Sequence, residues 1–119
     1  MNRLKVRADF LRASRGIRRV TPGLTLELCA TPEAAQGDGL RAGFTATRKL
    51  GGAVVRNRAK RRLRAAAAAV LPLCGRAGND YVLVARRDTL TRSFEQLLAD
   101  LQSALRAAHA KQGPMEDHS

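Results

Sequence analysis

Apolar and polar positions change rhythm along the chain, and each rhythm predicts an element. Over residues 24–30 they alternate: Leu24, Leu26 and Leu28 point one way, Thr25, Glu27 and Cys29 the other. That is the pattern of a strand with one face in a core. Alternation returns over residues 40–48, with Leu40, Ala42, Phe44 and Ala46 inward. Arg41, Gly43, Thr45, Thr47 and Lys49 then share the open face. Residues 31–39 between the two strands hold Pro32, Gly37, Asp38 and Gly39, and read as a hairpin loop. Tyr81–Arg86 is a near-continuous apolar run, which suits a central strand buried on both faces. The period then becomes helical. Phe94, Leu97, Leu98, Leu101, Leu105 and Ala108 keep the i, i+3, i+4, i+7 spacing. Ser93-Phe94-Glu95-Gln96 has the form of a capping box at the start, and Gly113-Pro114 ends the helix.

A second helical pattern runs from about Ala53 to Leu71, with Pro72 near its end. At ~100° per residue, Ala59, Leu63, Ala66, Ala67 and Val70 form one apolar stripe. Asn57, Arg61 and Arg64 lie opposite, Arg56 and Lys60 flank one side, and Arg58 and Arg62 flank the other. Six of the nine residues from Arg56 to Arg64 are Arg or Lys, and no acidic residue stands between Asp38 and Asp80. A solvated helix face normally mixes signs, because opposite charges at i, i+4 support it and like charges cost a few tenths of a kcal/mol. A segment that keeps this repulsion calls for an anionic partner. Nucleic acid fits best, ahead of a membrane surface or an acidic protein.

Earlier in the chain, residues 1–8 read as a basic arm, poorly ordered without a partner. Asp9 can cap a short helix to about Ser14, and Gly16 suits its stop. Arg18–Thr21 is a candidate strand before the Pro22-Gly23 turn.

Two segments carry a resemblance. Gly43-Phe44-Thr45-Ala46-Thr47-Arg48-Lys49-Leu50-Gly51 and Ala53-Val54-Val55-Arg56-Asn57-Arg58-Ala59-Lys60-Arg61-Arg62-Leu63-Arg64 resemble the signature of the protein subunit of bacterial ribonuclease P. The Arg56-Asn57-Arg58 core, the spacing to Asp80–Arg86 and the opening Leu4-Lys5 with Asp9-Phe10 all fit it, over about residues 3–110. The resemblance implies an α+β fold, a single-domain α-β-β-β-α-β-α sandwich. It also implies a left-handed crossover through the basic helix, against the usual preference. It assigns Arg56, Asn57, Arg58, Lys60, Arg61 and Arg64 to contact with the catalytic RNA subunit. It assigns Phe10, Thr45, Thr47, Arg48, Lys49 and Arg86 to a cleft for the single-stranded 5′ leader of precursor tRNA. Many family members carry further aromatics where this chain has Ala13-Ser14 and Thr25, Glu27 and Cys29. Stacking on bases is therefore available only at Phe10, and grip on the leader rests mainly on charge. Phe10 can equally pack the first helix onto the sheet.

Composition agrees. A chain of 119 residues makes one domain, 1–119, with a flexible arm over 1–8 and a flexible tail over 113–119. The net charge of +12 suits a nucleic-acid binder. No apolar run approaches the ~18 residues of a membrane span, and residues 1–20 lack the apolar core of a secretory signal. Cys29 and Cys74 stand alone, without CxxC spacing, so free thiols in a cytoplasmic protein are expected rather than a zinc site.

Catalytic chemistry is not visible. Cutting a phosphodiester calls for clustered carboxylates holding metal, or a His-based acid–base pair. The histidines are His109, late in the last helix, and His118 in the tail; Asp9, Glu27, Asp38, Asp80 and Asp88 are scattered among elements. Gly51-Gly52 lacks the GK[ST] ending of a P-loop and reads as a tight turn. The resemblance implies the same: the RNA subunit is the catalyst and uses Mg²⁺, the protein holds no cofactor, and its partners are that RNA and precursor tRNA. A monomer without membrane contact is expected. The alternatives are a basic structural RNA-binding protein, such as a ribosomal protein, and then a sequence-specific DNA binder, which would normally dimerise.

Overall fold

The computed structural model describes residues 2–35, 37 and 39–114. Its five strands are β1 (Asn2–Arg3), β2 (Ile17–Val20), β3 (Leu24–Ala30), β4 (Arg41–Thr45) and β5 (Asn79–Ala85). Its three α-helices are α1 (Arg7–Ser14), α2 (Ala53–Cys74) and α3 (Phe94–Gln112). The strands form one sheet in the order β1-β4-β5-β3-β2. β5 is central, parallel to β4 and antiparallel to β3.

Alternation sorts the side chains as the sequence pattern predicts. Leu24, Leu26, Leu28, Ala42, Phe44, Tyr81, Leu83 and Ala85 share one face, packed with the stripe of α2 and with Leu101, Ala104, Leu105 and Ala108 of α3. The five stripe residues of α2 are all buried, and Leu71 extends the stripe. On the other face Leu4, Ala13 and Val82 form a smaller cluster, joined by Phe10, Cys29 and Val84. The sheet is thus enclosed by α2 and α3 on one side and partly by α1 on the other, an α+β sandwich.

The start of α3 is capped as read. The Ser93 hydroxyl accepts from the Gln96 backbone N–H at 3.1 Å, and the Gln96 side chain accepts from the Ser93 N–H at 2.9 Å. Gly113 follows its last turn. The tail over 115–119, with Glu116, Asp117 and His118, lies outside the described residues.

Several expectations are corrected. Residues 2–4 are part of the fold rather than a free arm. The Leu4 N–H donates to Ala42 O at 2.9 Å, the Asn2 N–H to Leu40 O at 3.2 Å, and Leu4 is buried. Unpaired backbone groups along β4 create that demand. Residues 31–39 do not close a hairpin, because β5 inserts between β3 and β4. Asp9 is not a helix cap. α1 begins at Arg7 after an extended Val6, and the Asp9 carboxylate pairs with Arg12 and, at 3.4 Å, with Arg41. Pro72 does not end α2. It occupies the last turn: its missing N–H forgoes one i→i−4 bond, yet the helix continues two residues to Cys74 and the Gly75 N–H closes onto Leu71 O at 2.8 Å. β4 stops at Thr45, so the alternation extrapolated to residue 49 fails. Arg48–Leu50 is a 3-10 turn, and Gly51, at φ 148°, carries the chain into α2.

Candidate nucleic-acid interface

The sequence-predicted residues fall into two groups that the fold places on different parts of the molecule. The first belongs to α2. Its buried stripe sets the helical phase, so the opposite face must be polar. Asn57, Arg58, Arg61 and Arg64 are exposed, and Arg56 and Lys60 are half-buried on the flank. Ion pairs among the described residues use Asp9, Asp80 and Asp100 as acids, and none involves these five cations. Their charge has no ion-pair partner among the described residues.

Arg62 differs from its neighbours. Its guanidinium donates to the backbone oxygens of Thr89 (2.9 Å), Leu90 (3.0 Å) and Arg92 (2.6 Å). It ties α2 to the segment that leads into α3. Sequence spacing put Arg62 beside Arg58 as another basic flank, and nothing in the sequence marked three carbonyls as its partners.

The second group gathers where the parallel strands β4 and β5 end. Register pairs Thr45 with Val84, and both chains leave the sheet just beyond. Thr47, Arg48 and Lys49 are exposed in the turn after β4. Arg86, exposed at the end of β5, donates to Thr21 O and so ties that end to the β2–β3 turn. Lys49 belongs here through the 3-10 turn and not through strand alternation.

Phe10 lies on the α1 side. Its ring covers Gly43: a Cβ built on Gly43 would stand 2.7 Å from Cε1 and Cζ of Phe10. Glycine at 43 is therefore what lets the ring reach the sheet. The ring is half-buried against the cluster of Leu4, Ala13 and Val82, so it packs α1 and still keeps exposed surface.

One buried ion pair fixes this face. Asp80 is 0% exposed and receives Arg41 Nε at 2.8 Å, Arg41 Nη2 at 2.7 Å and the Thr31 hydroxyl at 2.7 Å. Burial by itself raises the Asp80 carboxyl. The Arg41 and Thr31 hydrogen bonds outweigh it and hold the group below its ordinary value. Arg41 is in turn held above its own. The sequence reading put Arg41 on the open face and Asp80 among scattered acids. Only the register Arg41↔Asp80, a non-local fact, brings them together. Burial, with the Asp80 charge nearby, keeps the Cys29 thiol protonated.

A second polar network closes the end of α3. The Tyr81 hydroxyl accepts from the Arg76 backbone N–H (2.8 Å) and from Asn79 Nδ2 (3.2 Å), leaving its hydrogen for His109 Nε2 at 2.7 Å. Burial, with the Arg76 charge, lowers the His109 pKa. His109 is thus a structural acceptor. Among the described residues, no three His, Cys, Asp or Glu side chains group as metal ligands. No described helix is long and apolar enough to cross a membrane.

Comparison with known proteins follows the same lines. The family model for ribonuclease P matches residues 1–109. The ribonuclease P protein component of Ruegeria pomeroyi is 51% identical over 108 residues, covering 90% of this chain and 86% of that protein. The same component from Paramagnetospirillum magneticum is 48% identical over 115 residues, covering 94% and 86%. The RNase P protein of Staphylococcus aureus superposes with a TM-score of 0.71 at 26% identity, covering 91% of this chain and 95% of that one. That of Thermotoga maritima gives 0.73 at 23% identity, a likeness of fold, covering 92% and 99%.

Proposed function

The chain belongs to the ribonuclease P protein family, and from that membership we propose how its two cationic surfaces divide the work of the ribonucleoprotein. The protein is the protein component of an endoribonuclease complex and partners the ribonuclease P RNA. It binds that RNA and the 5′ leader of precursor tRNA, and assists removal of the leader to leave the mature 5′ end. The structural ribosomal-protein alternative gives way to the family match.

The observation that carries the division is the exposed face of α2. Arg56, Asn57, Arg58, Lys60, Arg61 and Arg64 stand on a helix whose phase is locked by its six buried residues, with no carboxylate among the described residues paired to any of the cations. Planar guanidinium forks donate two parallel hydrogen bonds to phosphate, so this face takes the backbone of the RNA subunit. Thr45, Thr47, Arg48, Lys49 and Arg86 at the strand ends, with Phe10 on the sheet, take the single-stranded leader by charge and one stacking surface.

Catalysis belongs to the RNA subunit with its Mg²⁺, and the protein acts in the cytoplasm as one polypeptide that supplies binding and orientation. Protein freed of RNA, incubated with Mg²⁺ and precursor tRNA, leaves the substrate intact. Addition of the ribonuclease P RNA restores cleavage. Cutting that survives nuclease treatment and repurification overturns this assignment. Co-purification from cells checks the partner directly: the RNA that leaves with the protein is ribonuclease P RNA rather than ribosomal RNA.

A further inference from the structure

The cationic surface does not end with α2. Phe44 of β4 lies at the margin of the main core, 8% exposed, on the side of the sheet that α2 covers. Two guanidinium groups converge on its ring. Arg64 of α2 places Cζ 5.8 Å from the ring centroid, and Arg3 of β1 places Cζ 5.6 Å from it. The fold dictates the position of Arg3. β1 pairs parallel with β4 in the register Arg3↔Ala42, so Arg3 emerges on the same face as Ala42 and Phe44. Leu4, next in sequence, turns to the opposite face, where it is buried and pins the strand.

Both arginines are exposed, and neither has an ion-pair partner among the described residues. A ring quadrupole attracts one cation readily. A second cation within 6 Å of the same ring centroid is a like charge to the first, and no carboxylate among the described residues is paired with either. An external anion removes that repulsion.

We propose that Arg3 and Arg64, held together on Phe44, form a phosphate-binding pair that extends the RNA-subunit face from α2 onto the edge strand β1. This rests on the reading of α2 given above. The ligand is a backbone phosphodiester, matched by two guanidinium forks. It belongs to the RNA subunit and not to the leader. Arg3 opens on the α2 side beside Ala42, whereas Phe10 is on the opposite face and Thr47, Arg48 and Lys49 lie beyond the far end of β4.

The test measures affinity of the intact protein for ribonuclease P RNA across a salt series, for Arg3→Ala, Arg3→Met, Arg64→Ala, Arg3→Ala/Arg64→Ala and Arg61→Ala, with melting temperatures alongside. Arg3→Met keeps an apolar cover on Phe44 and removes only the charge. Arg3→Ala and Arg3→Met both weaken binding several-fold and lower the slope of log K against log salt by ~0.7–0.9. The double variant loses less than the product of the single losses, because one phosphate is shared. The precursor-to-mature tRNA affinity ratio of the holoenzyme stays unchanged. If Arg61→Ala weakens binding and Arg3→Met does not, the pair is refuted and the α2 surface stands. If neither has an effect, the α2 reading itself fails. A fall in the precursor-to-mature ratio with RNA-subunit affinity intact moves Arg3 to the leader and also refutes the pair.

Discussion

Phe10 and Gly43 form a contact whose two halves can be altered separately. Phe10→Ala removes a half-buried ring. A fully enclosed Phe→Ala costs ~3–5 kcal/mol, so about 2 kcal/mol is expected here, a fall in melting temperature of roughly 5–10 °C for a domain of this size. Gly43→Ala keeps the ring but puts a methyl group 2.7 Å from Cε1 and Cζ and 3.1 Å from Leu4 Cβ. The ring must lift from the sheet, at about 1–3 kcal/mol, the usual cost of overpacking. With Phe10 already Ala, most of that cost disappears, leaving a coupling of about 1 kcal/mol or more between the two sites. Thermal unfolding of the four proteins measures this. A Gly43→Ala cost that is identical in both backgrounds refutes the seating of the ring on Gly43. The same four proteins, assembled into holoenzyme, report on the leader. Stacking on one base is worth ~1–3 kcal/mol, so Phe10→Ala lowers precursor affinity about 5- to 150-fold and leaves mature tRNA nearly untouched. Gly43→Ala, which displaces the ring without removing it, lowers the same ratio by less. Loss of stability with an unchanged ratio in both variants would make Phe10 a packing residue alone and leave the leader to charge.

Further expectations follow from the rest of the structure. Leu63→Ala opens a cavity in the main core and costs ~2–5 kcal/mol, whereas Arg61→Ala leaves the melting temperature within about 1 °C and weakens RNA-subunit binding; unfolding by Arg61→Ala would show the helical phase to be wrong. Arg41→Ala strands the fully buried Asp80 carboxylate and costs ~3–5 kcal/mol in chemical denaturation at pH 7. Because the folded Asp80 pKa is depressed, its contribution is complete above the unfolded value near ~4 and is lost as pH falls through the folded value; Asp80→Asn flattens that acid limb. The folded His109 pKa is lowered, so the unfolded chain takes up its proton first and stability falls as pH drops below ~6.5; His109→Gln removes this slope, and an unchanged slope would show that another group causes it.

What the sequence revealed was local. The α2 stripe, the alternation of β3 and the Ser93–Gln96 box each complete their pattern within a few residues, and each appears in the structure as read. What stayed hidden depends on partners distant in sequence. β1 is two residues long and has no period to detect; only the open edge of β4 makes it a strand. Arg41 and Asp80 look like solvated charges until the β4–β5 register brings them together. Arg62 is one basic residue among many until three backbone oxygens across the fold receive it. The cationic face of α2 was legible because a missing sign of charge is itself a local pattern. The two cations on Phe44 were not, since one of them comes from β1.

The strand order has a consequence for how the chain is made. β5, at the centre of the sheet, is also the last strand in sequence, at Asn79–Ala85. In the sheet order, β5 alone hydrogen-bonds the β2–β3 hairpin to the β1–β4 pair; without it, the two halves are bridged by the packing of α1. At ~5–20 residues per second, the eleven residues from the end of α2 at Cys74 to the end of β5 at Ala85 take about 0.5–2 s, an interval in which α2 is already synthesised and the central strand is not. The apolar stripe of α2 then lacks the complete sheet it packs against, while its arginines are already present. Completion of the sheet therefore waits on one non-local insertion and cannot proceed by steady growth from the N-terminus. A chain truncated before Asn79 has the whole basic helix but lacks the strand that unites the sheet beneath it.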